Sequence, residues 1–189
     1  MRRHPFFFAA ICFALLSSPL SANDAGEDTR QIEVKRMAFS VTIPTGWQVK
    51  LNERLKMFLV LQETTEDGKV LPTSVNYQYR KAADKPFPPI PEAEAYSEII
   101  KATMKQQMPD MEILSAQVFE HEGYKGVKVE FQATQQGLLL RMNHYNLVHP
   151  DGQDSFIITA GSLDRLWEDA EPKLERIVAS TSLSIEQDD

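Results

Sequence analysis

The chain has 189 residues and carries 27 acidic against 20 basic side chains, which gives a net charge of −7. A field of this sign disfavours nucleic acid and anionic lipid, so we expect neither as a general partner. The single cysteine excludes an intramolecular disulfide, so the fold must depend on an apolar core. The length is sufficient for one such core.

The first 22 residues have the pattern of a secretory signal peptide. Two arginines precede an apolar run from Phe6 to Leu16, and small residues follow up to Ala22. The run is short for a membrane span and no stop-transfer segment follows, so we expect cleavage near Ala22 rather than a retained anchor. Cys12 follows Ile11 inside the apolar run, where a lipobox would need a small residue, so we expect no lipid anchor. The prediction is an exported protein, periplasmic or secreted, without stable membrane insertion after cleavage.

Four regions follow from the composition of the chain. Residues 1–22 are the predicted signal peptide, and residues 23–36 are predicted to be a flexible N-terminal segment because they begin with small and acidic residues without periodicity. Residues 37–183 carry regular strand, turn and helix signals and are predicted to form a single domain. Residues 184–189 are predicted to be a polar tail.

The first half of the domain reads as strands. Residues Phe39 to Leu51 alternate around a Pro-Thr-Gly turn, which predicts a tight hairpin. Trp47, just past the turn, is interpreted as a core anchor rather than a ligand-stacking platform. Residues Met57 to Gln62 are apolar on both pleat faces, which predicts a strand covered on both sides. Another strand, Ser74 to Arg80, alternates polar and apolar residues.

A proline-rich stretch from Asp84 to Pro91 predicts an extended crossing, because proline cannot donate to a strand ladder. Phe87 within it is either a docking residue or a side chain tucked under a stiff connector. Apolar residues then recur at helical spacing, which predicts a helix from about Pro91 to Met108, stopped by Pro109.

Residues Glu112 to Gly161 predict an antiparallel meander. Three turn signals divide it, at 121–123, 135–137 and 149–152, and each ends in the glycine that supplies a positive φ. A second helix follows, with Ser162 as a plausible N-cap. Pro172 would disturb that helix, so we expect a short first turn with the main helix starting near Pro172, or a kink there.

Nothing in the sequence matches a phosphate-binding glycine loop, a nucleophile elbow or a paired-histidine metal helix, so no catalytic residue, metal ligand or cofactor is predicted. The most polar patch within an apolar strand is Asn143 to Asn146. Two alternatives to a binding protein stay open: a small-ligand-binding protein or hydrolase-like enzyme with a pocket near His144, and a weak divalent-cation binder. The candidate binding surface consists of Phe87, Tyr77, Tyr79, Asn143, His144 and Asn146.

Three features together resemble the PsbP/DcrB-like superfamily: the sequence FSVTIPTGW from Phe39 to Trp47, a single helix ahead of a long meander, and the closing LWEDAEPKLERIVASTSL from Leu166 to Leu183. The superfamily includes the photosystem II protein PsbP, a nuclear Ran-binding transport factor, the bacterial envelope protein DcrB and type VI secretion chaperones. The resemblance spans residues 37–183 and, with the leader, suggests an exported bacterial member.

The resemblance implies an α+β fold of the α/β/α-sandwich type, with an antiparallel sheet flanked by helices on both faces. It also implies a protein that binds or assists another protein without catalysis, since the superfamily offers no shared catalytic motif. Combined with the predicted leader, this gives an exported accessory protein that acts on another envelope protein, through the sheet edge or a groove beside Phe87.

Overall fold

The computed structural model describes residues 28–37, 39–51, 58–65 and 67–183. The predicted leader, the start of the segment 23–36, Met57 and the predicted tail 184–189 lie outside the described residues. The strands and helices are β1 (Thr29–Val34), β2 (Phe39–Pro44), β3 (Gln48–Leu51), β4 (Phe58–Thr64), β5 (Val70–Lys81), α1 (Ala93–Met104), β6 (Glu112–His121), β7 (Tyr124–Gln135), β8 (Leu138–Val148), β9 (Asp154–Leu163) and α2 (Trp167–Ala179).

An antiparallel sheet of seven strands, in the order β3-β4-β5-β9-β8-β7-β6, forms the centre of the fold. The chain leaves the sheet at β5 and crosses to the far edge by way of α1. The meander then returns strand by strand until β9 pairs with β5. The predicted meander is confirmed, and glycine has a positive φ in all three of its turns.

Side chains from the sheet are buried on both faces. On one face Tyr145 and Leu147 of β8 pack in a core that also contains residues of β2 and α2. On the other face Leu140 and Met142 of the same strand pack in a core that contains residues of α1. Because neighbouring residues of a strand point to opposite faces, α1 and α2 cover opposite sides of the sheet. The predicted α+β sandwich is confirmed.

The predicted hairpin between Phe39 and Leu51 is wrong, because its two strands belong to different sheets. Strand β2 pairs with β1 in a separate two-stranded sheet, whereas β3 pairs with β4 at the edge of the large sheet. Gly46, at φ +98°, lies in the turn that carries the chain from one sheet to the other. Trp47 is 4 % exposed and lies in the core, as predicted.

Strand β1 also corrects the prediction of a flexible segment over residues 23–36. Every residue from Thr29 to Val34 is paired with β2. Ile32 and Val34 pack against the core on the α2 side. The alternation of these two apolar residues is too short to predict a strand by itself, but pairing with β2 is sufficient to stabilise one.

The helices depart in detail from their predicted bounds. Helix α1 is shorter than the predicted range from Pro91 to Met108 and ends at Met104. A short 3-10 turn over Asp164–Leu166 precedes α2, in agreement with a short first turn. Ser162 is not an N-cap, because it lies within β9 and is hydrogen-bonded to Thr73.

Helix α2 begins at Trp167, so the predicted start of the main helix near Pro172 is wrong. Pro172 lies on the exposed side of the helix and removes one backbone hydrogen bond, at a cost of about 3 kcal/mol. The opposite side buries large apolar side chains, each of which contributes about 1.5–3 kcal/mol. This burial outweighs the cost of the proline; the large buried residues are Trp167, Leu174, Ile177 and Val178, and Ala170 is buried among them.

The turn between β8 and β9 holds the proline-rich crossing in place. The backbone N–H of Phe87 donates to the carbonyl of Gly152 at 2.7 Å, and Ala82 N–H donates to the Gln153 carbonyl at 2.7 Å. Gly152 has φ +72°, and a Cβ added there would lie 2.7 Å from Pro86 Cβ and 2.8 Å from the Phe87 carbonyl oxygen. Only glycine therefore allows the turn and the crossing to approach this closely.

In the described ranges, no helix is long and apolar enough to cross a membrane.

Replacing Gly152 by alanine tests whether the turn between β8 and β9 holds the crossing in place. The variant Gly152→Ala should lower the free energy of unfolding by about 3 kcal/mol, because it combines a positive φ with a backbone clash. Gly137→Ala is the matched control, since Gly137 also has a positive φ, +79°, but has open space around its Cβ position. It should lose only about 1 kcal/mol. Urea unfolding gives both values, and hydrogen exchange at Phe87 should accelerate only in Gly152→Ala; equal losses would contradict the anchor.

Candidate functional site

A groove of about 580 Å³ lies between the proline-rich crossing and one end of the seven-stranded sheet. Phe87 and Ile90 line it on the side of the crossing, and Val118, Val127 and Val148 line it on the side of the sheet. Val118 belongs to β6, the edge strand, and is 65 % exposed, the highest value among the large apolar residues described. The walls are therefore apolar, and one of them stands at the sheet edge.

Charged residues form the rim of the groove. Lys125 is 3.6 Å from Glu120, and His149 Nδ1 is 2.7 Å from Asp151 Oδ1. Glu92, at the other side of the rim, has no ion-pair partner within the described parts of the chain. With three carboxylates against one lysine and one histidine, the rim carries more acidic than basic groups. It thus favours a cationic group on whatever enters the groove.

Beneath the crossing, the guanidinium of Arg80 is held against Phe87. Its Cζ lies 5.1 Å from the centre of the Phe87 ring. Nη2 donates to Ser155 Oγ at 2.5 Å and to Asn146 Oδ1 at 3.2 Å. Burial lowers the pKa of Arg80. The cation–π contact and the two hydrogen bonds tie the crossing to β5, β8 and β9, so the wall that carries Phe87 is fixed from below.

His144 continues this polar cluster towards α1. Its Nε2 is 3.4 Å from the Tyr96 hydroxyl and its Nδ1 is 3.2 Å from Thr159 Oγ1. The ring is 1 % exposed. Burial, with a smaller contribution from the positive charge of Arg80, lowers the pKa of His144 from 6.5 to about 4. The imidazole is therefore neutral near pH 7, with one nitrogen donating and the other accepting.

The pleat divides the residues predicted as a binding surface into two groups. Phe87, His144 and Asn146 lie on the α1 side, where Arg80 brings Phe87 and Asn146 together. Tyr77 and Tyr79 are 0 % and 4 % exposed and belong to the opposite core. They are therefore parts of the packing between the sheet and β2 rather than of a surface.

The two tyrosines are satisfied inside that core. Tyr77 stacks on Phe39 with 4.7 Å between ring centres, and its hydroxyl is hydrogen-bonded to Thr181 Oγ1 at 2.8 Å. The Tyr79 hydroxyl donates to the carboxylate of Asp154 at 2.5 Å. Burial raises the pKa of both hydroxyls above their ordinary value. Both side chains are occupied in holding β5 to its neighbours.

Asn143 is fully buried on the α2 side of β8. Neither its Oδ1 nor its Nδ2 has a hydrogen-bond partner among the described residues, and the indole N–H of Trp167 is also unpaired there. A buried amide without partners costs about 1–3 kcal/mol. Asn143 therefore weakens the core.

Sequence reasoning missed Val118, Ile90 and Arg80. The apolar residues of the β6 sequence predict a strand. The position of this strand, and so of Val118, at the sheet edge depends on the strand order, which a local sequence pattern cannot predict. Arg80 alternates with Tyr79 as a solvent-facing residue would, and only the overlying crossing makes it half-buried. The single usable signal was the proline-rich stretch, which predicted a crossing and singled out Phe87.

The two alternative sites can be compared with this geometry. His144 does not line the groove, and the ring lies in the core between β8, β9 and α1. In the portion of the chain that the structure describes, no three His, Cys, Asp or Glu side chains are grouped as metal ligands.

No family model matches the chain, and no curated protein matches its sequence. Several solved structures do share its fold. The cyanobacterial PsbP (CyanoP) of Synechocystis superposes with a TM-score of 0.63 at 9 % identity, over 86 % of this chain and 96 % of that protein. The Ran-binding protein Mog1p of Saccharomyces cerevisiae gives a TM-score of 0.54 at 12 % identity, over 84 % of this chain and 97 % of that protein.

LpqN, which is involved in cell envelope biogenesis of Mycobacterium tuberculosis, gives a TM-score of 0.52 at 12 % identity, over 83 % of this chain and 86 % of that protein. At identities this low, the superpositions establish a shared fold and nothing more. The chain therefore has the fold of PsbP and Mog1p, as its sequence resemblance implied, and the function must be argued from its own groove.

The low pKa of His144 makes stability depend on pH. Because the folded state holds the neutral ring and the unfolded ring titrates near 6.5, stability is fully present above pH 6.5 and falls as the pH drops towards 4. The loss from this group should be about 3 kcal/mol. In His144→Gln, which can still bond to Tyr96 and Thr159, this part of the loss should disappear. Urea unfolding from about pH 7 to about pH 4 measures the difference between the two proteins; parallel pH profiles would contradict it.

Asn143→Leu should raise the free energy of unfolding by about 1 kcal/mol, because it removes an unpaired buried amide and adds apolar burial with the same number and branching of side-chain heavy atoms. Asn143→Asp is the contrasting variant and should lower it by several kcal/mol, since an unpaired charge would be buried. Thermal and urea unfolding check both. A loss of stability in Asn143→Leu comparable to that in Asn143→Asp would show that the amide is paired in solution.

Proposed function

We propose that this chain is an exported, non-catalytic accessory protein that binds an extended segment of another envelope protein in the groove beside Phe87. The observation that carries the proposal is the groove itself: apolar walls, an excess of acidic groups on its rim and an exposed valine at its mouth. Exposed apolar surface bordered by polar residues is typical of interaction sites.

The shape of the groove favours a polypeptide segment. One wall is the proline-rich crossing, which is held by Gly152 and by the Arg80 contact with Phe87. The opposite wall contains Val118 of the edge strand, so a long ligand can enter and leave along the edge. A volume of about 580 Å³ accommodates a few side chains of such a segment.

Charge complementarity specifies the segment further. Glu92, Glu120 and Asp151 stand around an apolar floor, and the whole chain has a net charge of −7. Removing residues 1–22 takes away two arginines and no acidic residue, so the exported form is more acidic still. The expected partner segment is therefore apolar and basic, and the field of the protein speeds its approach.

Two further arguments support the envelope as the place of action. The predicted signal peptide directs the chain out of the cytoplasm. Of the proteins that share the fold, LpqN is involved in cell envelope biogenesis and Mog1p binds Ran, so this fold serves in an envelope and in protein binding.

A cross-linking experiment tests the groove. A photoreactive residue in place of Ile90 should cross-link one envelope protein in extracts, and that protein, purified, should bind at one-to-one stoichiometry. Val118→Asp should weaken its affinity at least about tenfold, because it places a charge on the apolar wall. Phe87→Ala should also weaken it.

Ile99→Asp is the matched control, since Ile99 is an exposed apolar residue, 51 % exposed, on α1 and outside the groove. It should bind like the wild type. The proposal fails if no stoichiometric partner is recovered, or if Val118→Asp and Ile99→Asp bind the partner equally well.

A further inference from the structure

We infer that the bound segment pairs with β6 through backbone hydrogen bonds and becomes an eighth strand of the sheet. This inference rests on the proposed function and names how the segment is held and what sequence it has. Pairing with a free edge is a general way to bind extended peptides, with affinity from the main chain and specificity from alternate side chains.

Strand β6 is an unusually open edge. It contains ten residues, from Glu112 to His121, and stands at the end of the strand order, whereas the opposite edge is the four-residue strand β3. Exposed edges are commonly protected by lysine, proline or coverage. The sequence EILSAQVFEH contains neither lysine, arginine nor proline, and its Leu114 and Val118 are exposed.

The turn after β6 determines which backbone groups point outward. Glu122 and Gly123, at φ 47° and 83°, form a two-residue hairpin turn, so the closing pair His121 and Tyr124 exchanges hydrogen bonds. Alternate residues back along β6 then turn their N–H and C=O groups away from β7. These residues are Ala116, Val118 and Glu120. No backbone group of a described residue bonds to them.

The same residues give the bound segment its sequence. Val118 faces the groove beside Val127, and Glu120 lies on the same face beside Lys125. A strand added to β6 places side chains of its own opposite these two, on the same face and two positions apart. An apolar residue suits Val118 and extends into the groove, and a lysine or arginine suits Glu120. The segment therefore carries an apolar and a basic residue two positions apart.

A register shift between Ile113 and Ser115 limits the usable length. The ladder with β7 is irregular there, and a partner strand would lose its pairing at the same point. The regular part of the edge runs from Ser115 to His121. The bound segment is therefore up to seven residues long where it pairs, which is within the usual range for a strand.

A second copy of the chain fits this edge less well. Two copies of β6 that pair antiparallel about Val118 set Glu120 of each copy opposite Ala116 of the other. Neither glutamate then gains a cation beyond Lys125 of its own chain, and the acidic surfaces of the two copies are brought together. A basic segment of a different protein removes both problems.

Backbone methylation of a peptide probe tests the pairing. Peptides that bind the purified protein are selected from a library of random dodecapeptides, and we expect them to contain an apolar and a basic residue two positions apart. Each amide is then methylated in turn. Because only alternate amides of a strand face the sheet, methylation at every second position should weaken binding at least about tenfold, and at the positions between them should not.

A variant of the protein tests the same backbone pairing by removing a hydrogen-bond donor of β6. Val118→Pro removes an outward N–H that β7 does not use, so it should keep the fold and weaken binding at least about tenfold. Val118→Thr keeps the N–H and the β-branched shape, so it should weaken binding less than Val118→Pro does. The methylation result does not depend on how well Val118→Pro folds.

The outcomes separate this inference from the proposed function. If the selected peptides are weakened by Phe87→Ala but tolerate methylation at every position, strand pairing is overturned and the groove remains a binding site. If no selected peptide responds to Phe87→Ala, Val118→Asp or methylation, both fail. A dimer in light scattering that Val118→Pro converts to a monomer would assign the edge to a second copy and overturn the inference.

Discussion

The central strands of the sheet bury side chains on both faces, and the rest of the structure depends on covering both. Every residue of β9 from Ser155 to Leu163 is buried. A strand of this kind needs a layer on each side, because apolar surface left in water costs about 25 cal/mol per Å². Helix α1 supplies one layer, and α2 with the β1–β2 sheet supplies the other. The segment after α2 completes this second layer by pairing Ser182 with Ser40.

The groove is a consequence of this arrangement. Because β5 pairs with β9, the chain must travel from the middle of the sheet to the edge at β6 before the meander can return. Prolines in the crossing cannot donate to a ladder, so this segment passes over the strand ends without joining the sheet. Gly152 holds it there, and the space left between crossing and sheet is the groove. The same route leaves β6 as the last strand, so groove and open edge have one topological origin.

The parts of the fold that depend on local chemistry could be predicted from the sequence. The three glycine turns and the alternation between them specify the meander, and the position of Trp47 just after a turn correctly predicts a core residue. The prediction of a hairpin from Phe39 to Leu51 is wrong because alternation identifies strands without identifying their partners. Here the two consecutive strands belong to different sheets. The sequence pattern places Tyr77 and Tyr79 on a surface, because tyrosine suits both environments. Which pleat face is buried is decided by the layer above it, and that is a property of the whole chain.

The polar patch at Asn143 to Asn146 shows the same limit at the scale of one strand. Asn143 and His144 are adjacent in this patch, but their side chains point to opposite layers. The amide of Asn143 is unpaired among the described residues, whereas the imidazole of His144 is hydrogen-bonded through both nitrogens. Only His144 and Asn146 belong to the cluster that supports the crossing through Tyr96 and Arg80. A wall fixed by this cluster and stiffened by proline has little freedom left to lose when a segment binds. Affinity in such a groove is then limited mainly by the ordering of the partner segment, and pairing along β6 supplies the hydrogen bonds that offset that ordering.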